Sequence, residues 1–164
     1  MFLFVFGIFV LLAFAILGFS VKAKTSASKK YLIIEGETFK IEIADTIQSH
    51  GRGLSGRAGL GADEGMYFVF PFRARYGFWM KGMKFPIDIV WIKNNSILGF
   101  EKNVEPEPGM PFYKLKLFHP PERVSRVLEV MAGTVDKYGW KVGDKVNFDP
   151  AGISLLQGWG SARF

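Results

Sequence analysis

The sequence predicts a mainly β chain: an α+β fold with one or two short helices, folded as a compact barrel-like single domain behind an N-terminal transmembrane or signal helix. Three observations predict it. Apolar residues recur at every second position through most of the chain after residue 30, the period of a half-buried strand. The alternating runs are short and punctuated by Gly, Pro and Asn, a spacing that suits a closed or half-closed barrel better than a parallel α/β sheet. The first 21 residues carry no charge and, apart from Gly7, Gly18 and Ser20, are all apolar.

As a helix, residues 1–21 would cover about 30 Å, the hydrocarbon thickness of a bilayer. A core helix of that length normally keeps a polar face, and this segment has none. Lys22, Lys24, Lys29 and Lys30 follow it with no acid anywhere in residues 1–30. The positive-inside rule would hold that side in the cytoplasm. Val21 and Ala23, placed at −3 and −1 of a signal-peptidase site, point instead to export. The reading adopted is a domain outside the cytoplasm, anchored by residues 1–21 or secreted if cleaved after Ala23. Residues 22–30 form a Lys/Ser-rich linker, 31–149 the barrel-like domain and 150–164 a C-terminal extension.

Whole-chain charge is +6, with 21 Lys plus Arg against 15 Asp plus Glu. Setting aside the four linker lysines leaves 17 bases against the same 15 acids, so the folded part is close to neutral. No basic stripe remains on it, and nucleic acid is excluded as a partner. The linker lysines read as topology signals or contacts with anionic lipid headgroups. The chain contains no cysteine, which removes disulfides, thiolate nucleophiles and Cys-ligated metal sites.

Along the domain, Tyr31–Glu35 and Phe39–Ile43 read as strands around a turn at Gly36. Asp45–Arg52 reads as a helical turn or two capped by Asp45 or Thr46, and a Gly-rich stretch runs from Gly51 to Gly65. Further strands are expected at Gly65–Phe70, ended by Pro71, then at Tyr76–Lys81 and Phe85–Ile92. Asn94-Asn95 turns the chain into a strand over Ile97–Val104. Pro106, Pro108 and Pro111 mark a loop, and beyond it Lys114 and Lys116 alternate with apolar residues like the solvent face of a strand. Arg123–Met131 reads as a strand or a short helix, Ala132–Trp140 as a helical segment and Lys145–Phe148 as the last strand, about eight strands in all.

Familiar motifs do not survive their mechanical requirements. Gly51 to Gly56 fits GxGxxG, but no strand precedes it and no acid follows at the spacing a ribose needs. Ser55 lacks the GxSxG context of a nucleophile elbow, since Arg57 takes the last glycine place. His50 and His119 stand 69 positions apart without metal-ligand spacing, and Ser55, His50 and Asp88 make a triad on paper only. Glu105 and Glu107 read as solvated acids beside prolines. No cofactor and no metal are expected.

The informative stretch is Tyr76–Ile92. On a strand, Trp79 and Lys81 point to one face and Phe78 and Met80 to the other. Asp88 interrupts an apolar run, and a carboxylate there must be paired or exposed. Lys81 is its nearest candidate partner. The candidate ligand-binding set is Arg57, Trp79, Lys81 and Asp88, a polar pocket with an aromatic wall, set against ordinary salt bridges that fix the loops.

Gly53-Leu54-Ser55-Gly56-Arg57, Glu64-Gly65-Met66 with Phe68-Val69-Phe70, and Phe78-Trp79-Met80-Lys81 occur in order. Pro86-Ile87-Asp88-Ile89, Val127-Leu128-Glu129-Val130 with Ala132-Gly133, and Gly143-Asp144-Lys145-Val146 follow. With these motifs the chain, over about residues 38–149, resembles the domain of unknown function 192 family of bacteria and archaea. The resemblance implies a compact, mostly β, barrel-like domain, often behind an export signal, and brings no established activity or ligand. Ser55 stands where the family commonly has Met, and Gly82-Met83 where it often has Asn-Thr. The second departure removes polar groups beside Lys81.

Three functions compete. The first is a membrane-tethered or exported binding domain whose ligand is a carbohydrate or small polar molecule, because a ring stacks on a sugar face while charges orient its hydroxyls. The second is a structural or assembly role with another envelope protein. The third is a hydrolase-like enzyme using Asp88 as base.

Overall fold

The computed structural model describes residues 30–149. The expected membrane or signal segment, the linker up to residue 29 and the extension from residue 150 lie outside the described residues. Among the described residues no helix is long and apolar enough to cross a membrane.

The domain is mainly β, with two short helices and one curled, half-barrel sheet. Its strands are β1 (Lys30–Ile34), β2 (Glu37–Ala44), β3 (Glu64–Ala74), β4 (Ile87–Lys93), β5 (Ser96–Val104), β6 (Val124–Met131) and β7 (Val146–Asp149). Helix α1 (Ile47–Arg52) links β2 to β3, and the single turn α2 (Thr134–Lys137) follows β6. The seven strands lie in the order β5-β4-β6-β3-β2-β1-β7. Only β2 and β3 run parallel, with Lys40 beside Glu64 and Ala44 beside Phe68. That parallel step requires the crossover which α1 and the Gly-rich loop supply.

The sheet curls until its two edges touch at one end. Ser96 of β5 bridges Lys145, and the Ile97 amide donates to the Asp144 carbonyl at 2.9 Å while the Gly143 amide donates to the Ile97 carbonyl at 2.8 Å. β1 and β7 are antiparallel neighbours, with Tyr31 paired to Asp149. Two apolar layers result from the period-two alternation. Every strand contributes to the first, which includes Leu32, Phe39, Tyr67, Val90, Ile97, Leu128 and Val146, as the inside of a curled sheet requires. The second lies on the outer face of β3, β6 and β4, where Phe68, Phe70, Ile89 and Val127 meet Leu54, Phe78, Met80, Met83 and Phe85 from the loops.

Most sequence-predicted elements form within a residue or two, and four differ. Tyr76–Lys81 is not a strand: it makes one isolated bridge, Phe78 to Phe118. Its in-out alternation persists all the same, with Phe78 and Met80 buried and Lys81 exposed, because the segment lies as a flap over the outer face. β3 continues past Pro71 through a register shift between Val69 and Ala74, a bulge that spares Pro71 a ladder bond. Lys114 falls in a 3-10 turn, Phe112–Lys114, rather than on a strand face. The Ala132–Trp140 helix contracts to the one turn of α2. Asn94 and Asn95, with φ of 51° and 56°, form the tight turn between β4 and β5, as hairpin twist demands.

Candidate functional site

Helix α1 builds one wall of the site. Thr46 caps it in a reciprocal box: the Ser49 amide donates to Thr46 Oγ1 at 3.1 Å and the Thr46 amide donates to Ser49 Oγ at 2.9 Å, satisfying two end groups of a helix only six residues long. Gly53 ends it with φ 51° and ψ −136°, a conformation that favours glycine. The next loop is tied to the flap. The Ser55 hydroxyl donates to the Lys81 carbonyl, and the Gly56 amide donates to the Gly82 carbonyl at 2.9 Å.

Between α1, the flap and the outer sheet face lies a cleft of about 210 Å³. Phe68, Phe70, Tyr76, Phe78 and Trp79 wall it, with Met83 and Leu54, while His50, Arg52, Gly53 and Ser55 form the α1 side. The rings hold one another. Phe70 stacks on Tyr76 at 3.7 Å between centroids, and Phe78 meets Phe68 edge-on at 5.0 Å. His50 tilts over Phe70 at 4.3 Å. Its Nε2 lies 3.0 Å from the Ala44 carbonyl and 3.1 Å from the Val69 carbonyl. Both partners accept only, so Nε2 carries the proton.

Glu129 lines the same cleft from the centre of β6. Its side chain is buried, and Oε2 has no hydrogen-bond partner. In register it faces Met66 and Ile89 on the neighbouring strands, neither of which can answer a charge. Loss of water pushes its carboxyl up to about 8, opposed only in part by the charge of Arg57. At neutral pH Glu129 is therefore an uncharged carboxylic acid. Gly53 covers it: a Cβ there would stand 3.6 Å from Phe68 Cζ and 3.8 Å from Glu129 Oε2.

The four sequence-predicted site residues do not share this cleft. Trp79 lines it. Arg57 instead forks onto Glu42, with Nη1 and Nη2 donating to the two carboxylate oxygens at 2.5 and 2.7 Å. The pairing holds the Glu42 carboxyl below its ordinary range and raises the Arg57 guanidinium, the charge-assisted hydrogen bond being the chief cause for both. Lys81 lies exposed, its ammonium 5.3 Å from the centre of the Phe112 ring. Asp88 points to the opposite face of the sheet. It is fully buried, and its two oxygens accept the Asn103 amide at 2.8 Å and the Val135 amide at 2.9 Å. Backbone amides, rather than Lys81, answer its charge, and they tie β4 to β5 and α2. With Asp88 across the sheet and the Ser55 proton given to Lys81, the paper triad does not assemble around His50.

Of the sequence-predicted set only Trp79 lines the cleft; Glu129 and His50 are among the cleft residues that the set lacks. Among the described residues no group of three or more His, Asp or Glu is placed to hold a metal ion.

A half-barrel domain with an aromatic cleft on its outer face is thus the class that fold and site define. The chain belongs to the DUF192 family, described as uncharacterized ACR, whose model matches residues 31–148. Two solved structures are similar to it. One is a proposed transcription regulator from Sinorhizobium meliloti, 27% identical, with a TM-score of 0.64, covering 73% of this chain and 92% of that one. The other is a protein of unknown function from Novosphingobium aromaticivorans, also 27% identical at a TM-score of 0.64, covering 71% of this chain and 83% of the other. No curated protein matches the chain.

Proposed function

We propose that this is a binding domain for a small molecule that occupies the cleft over Glu129, and that residues 1–21 tether it to the membrane or export it. The observation that carries the binding reading is Glu129 itself. A buried polar group without a partner destabilises a fold, and native proteins keep few of them. Here the orphan lies on the floor of an open, ring-walled cavity, the usual composition of a small-ligand site: apolar walls with a few polar groups that orient the guest. The uncharged run of residues 1–21 and the lysines after it support the membrane reading.

A second reading, assembly with another envelope protein, draws on the loop before β6. There Met110, Phe112, Tyr113 and Leu117 are all exposed, and apolar side chains concentrated in one loop suit a protein partner.

A thermal-shift screen of a fragment library against the purified full chain tests the first reading. Stabilising compounds are expected, and Trp79→Ala and Glu129→Leu should abolish or weaken their effect. Hits untouched by both substitutions would place the ligand elsewhere and reject the cleft. An alkaline-phosphatase fusion after Lys30 tests location, with activity expected and inactivity ruling out export.

A further inference from the structure

We infer that Glu129 acts in the cleft as a hydrogen-bond donor, so that the ligand is an uncharged molecule with an apolar body and one acceptor oxygen, a carbonyl or ether, seated on the floor. The inference rests on the cleft being the ligand site and goes on to name the ligand's chemistry.

The groups around Glu129 decide between three classes of guest. An anion on the floor would need a cation to meet it. Arg57 is the cation acting on Glu129, and its guanidinium is already forked onto Glu42 at 2.5 and 2.7 Å. An ammonium guest would need Glu129 ionised in surroundings that oppose ionisation. It would also have to enter past Arg52 and His50, which line the α1 side. The titratable and charged groups facing the site are then His50 and Arg52 from α1, Arg57 from the next loop and Tyr76 from the flap. The strands contribute Met66, Phe68 and Ile89, which do not titrate.

An uncharged acceptor meets none of these obstacles. A protonated carboxyl has one O–H to donate. With Oε2 lacking any partner in the fold, that bond is made without breaking another. Burial keeps the carboxyl mostly protonated at neutral pH. A carbohydrate, with hydroxyls all round, would leave most of them against Phe68, Phe70 and Phe78, where they would lose water without replacement.

The test uses four probes of matched shape on the purified full chain: benzamide as neutral acceptor, benzamidinium as cation, benzoate as anion and toluene without a polar group. Dissociation constants would be measured by ligand-observed NMR titration at about pH 6.5 and 9.5. Benzamide is expected to bind the wild type best at the lower pH and to weaken roughly tenfold or more at the higher. Glu129→Gln, whose amide still donates, should retain benzamide and lose the pH dependence. Glu129→Leu should bind benzamide no better than toluene. Preference for benzamidinium that grows with pH would overturn the donor role while leaving the cleft as a site. Failure of all four probes to bind, toluene included, would instead reject the cleft as a ligand site.

Discussion

The Oε2 oxygen of Glu129 lies 3.8 Å from the point that a Cβ on Gly53 would occupy. The residue that ends α1 thus forms a thin cover over a carboxyl at the centre of the sheet. Gly53 also holds φ of 51°, in the left-handed region that L side chains rarely adopt. Gly53→Ala is expected to lower stability by about 1–2 kcal/mol through that backbone strain alone and to narrow the cleft. Urea denaturation reads the first effect, and an unchanged midpoint would contradict it.

Stability should fall with pH because of Glu129. Its carboxyl titrates near 8 in the folded chain against an ordinary value of 4.5, so between those values the folded state holds a proton that the unfolded state has released. The native state is then progressively disfavoured as pH rises through this window, and the effect is complete above it. Glu129→Gln has no proton to lose and should be the more stable protein at neutral pH, by an amount on the order of 3 kcal/mol. Denaturation at about pH 5, 7 and 9 measures it. A wild-type-to-variant difference that stays constant across the series would rule this out.

Asp88 is expected to behave oppositely. Removing its carboxylate strands the Asn103 and Val135 amides in the interior. Asp88→Ala should therefore destabilise the domain by about 3 kcal/mol or more. Asp88→Asn keeps one acceptor oxygen and should recover part of that loss. A stable, fully folded Asp88→Ala protein would show that the two amides find other partners.

Arg57 and Glu42 form a half-exposed pair, with side-chain exposures of 34% and 60%, so water screens it. Arg57→Ala should cost about 1 kcal/mol or less, and less still in high salt. Because the pairing lowers the Glu42 carboxyl, its contribution is present above the ordinary glutamate value and disappears as pH falls through the lowered one. Comparing wild type and Arg57→Ala at neutral and acid pH checks this, and a difference that grows on acidification would be the wrong sign.

Much of the architecture was legible in alternation and turn chemistry. Phe39, Ile41 and the Asn94-Asn95 turn lie where period two and hairpin twist place them. The Tyr76–Lys81 flap was legible in its faces though not in its pairing. Alternation reports which side chains are buried, and a segment covering a sheet satisfies it as well as a strand within one.

The site was harder to read for a related reason. Asp88 and Glu129 give the same signal, one acid in an apolar run. On a strand covered on one face only, Glu129 shares its side with Ser125 and should meet solvent. Only the flap, folding back from a distance in sequence, turns that outer face into an interior and Glu129 into the floor of a cleft. Asp88 stood out as a charge that needed a partner, but backbone amides from β5 and α2 have no sequence signature to announce them.

The pairing of Tyr31 with Asp149 also sets the domain's mechanics. The start of β1 and the end of β7 lie side by side, so attachments on the two flanking segments would pull from one corner of the sheet. Tension between them would peel β7 from β1 one hydrogen bond after another instead of shearing the whole ladder at once. A domain held by both flanks would yield at low force, opening first at the seam and leaving the β3–β6–β4 centre that carries the cleft until last.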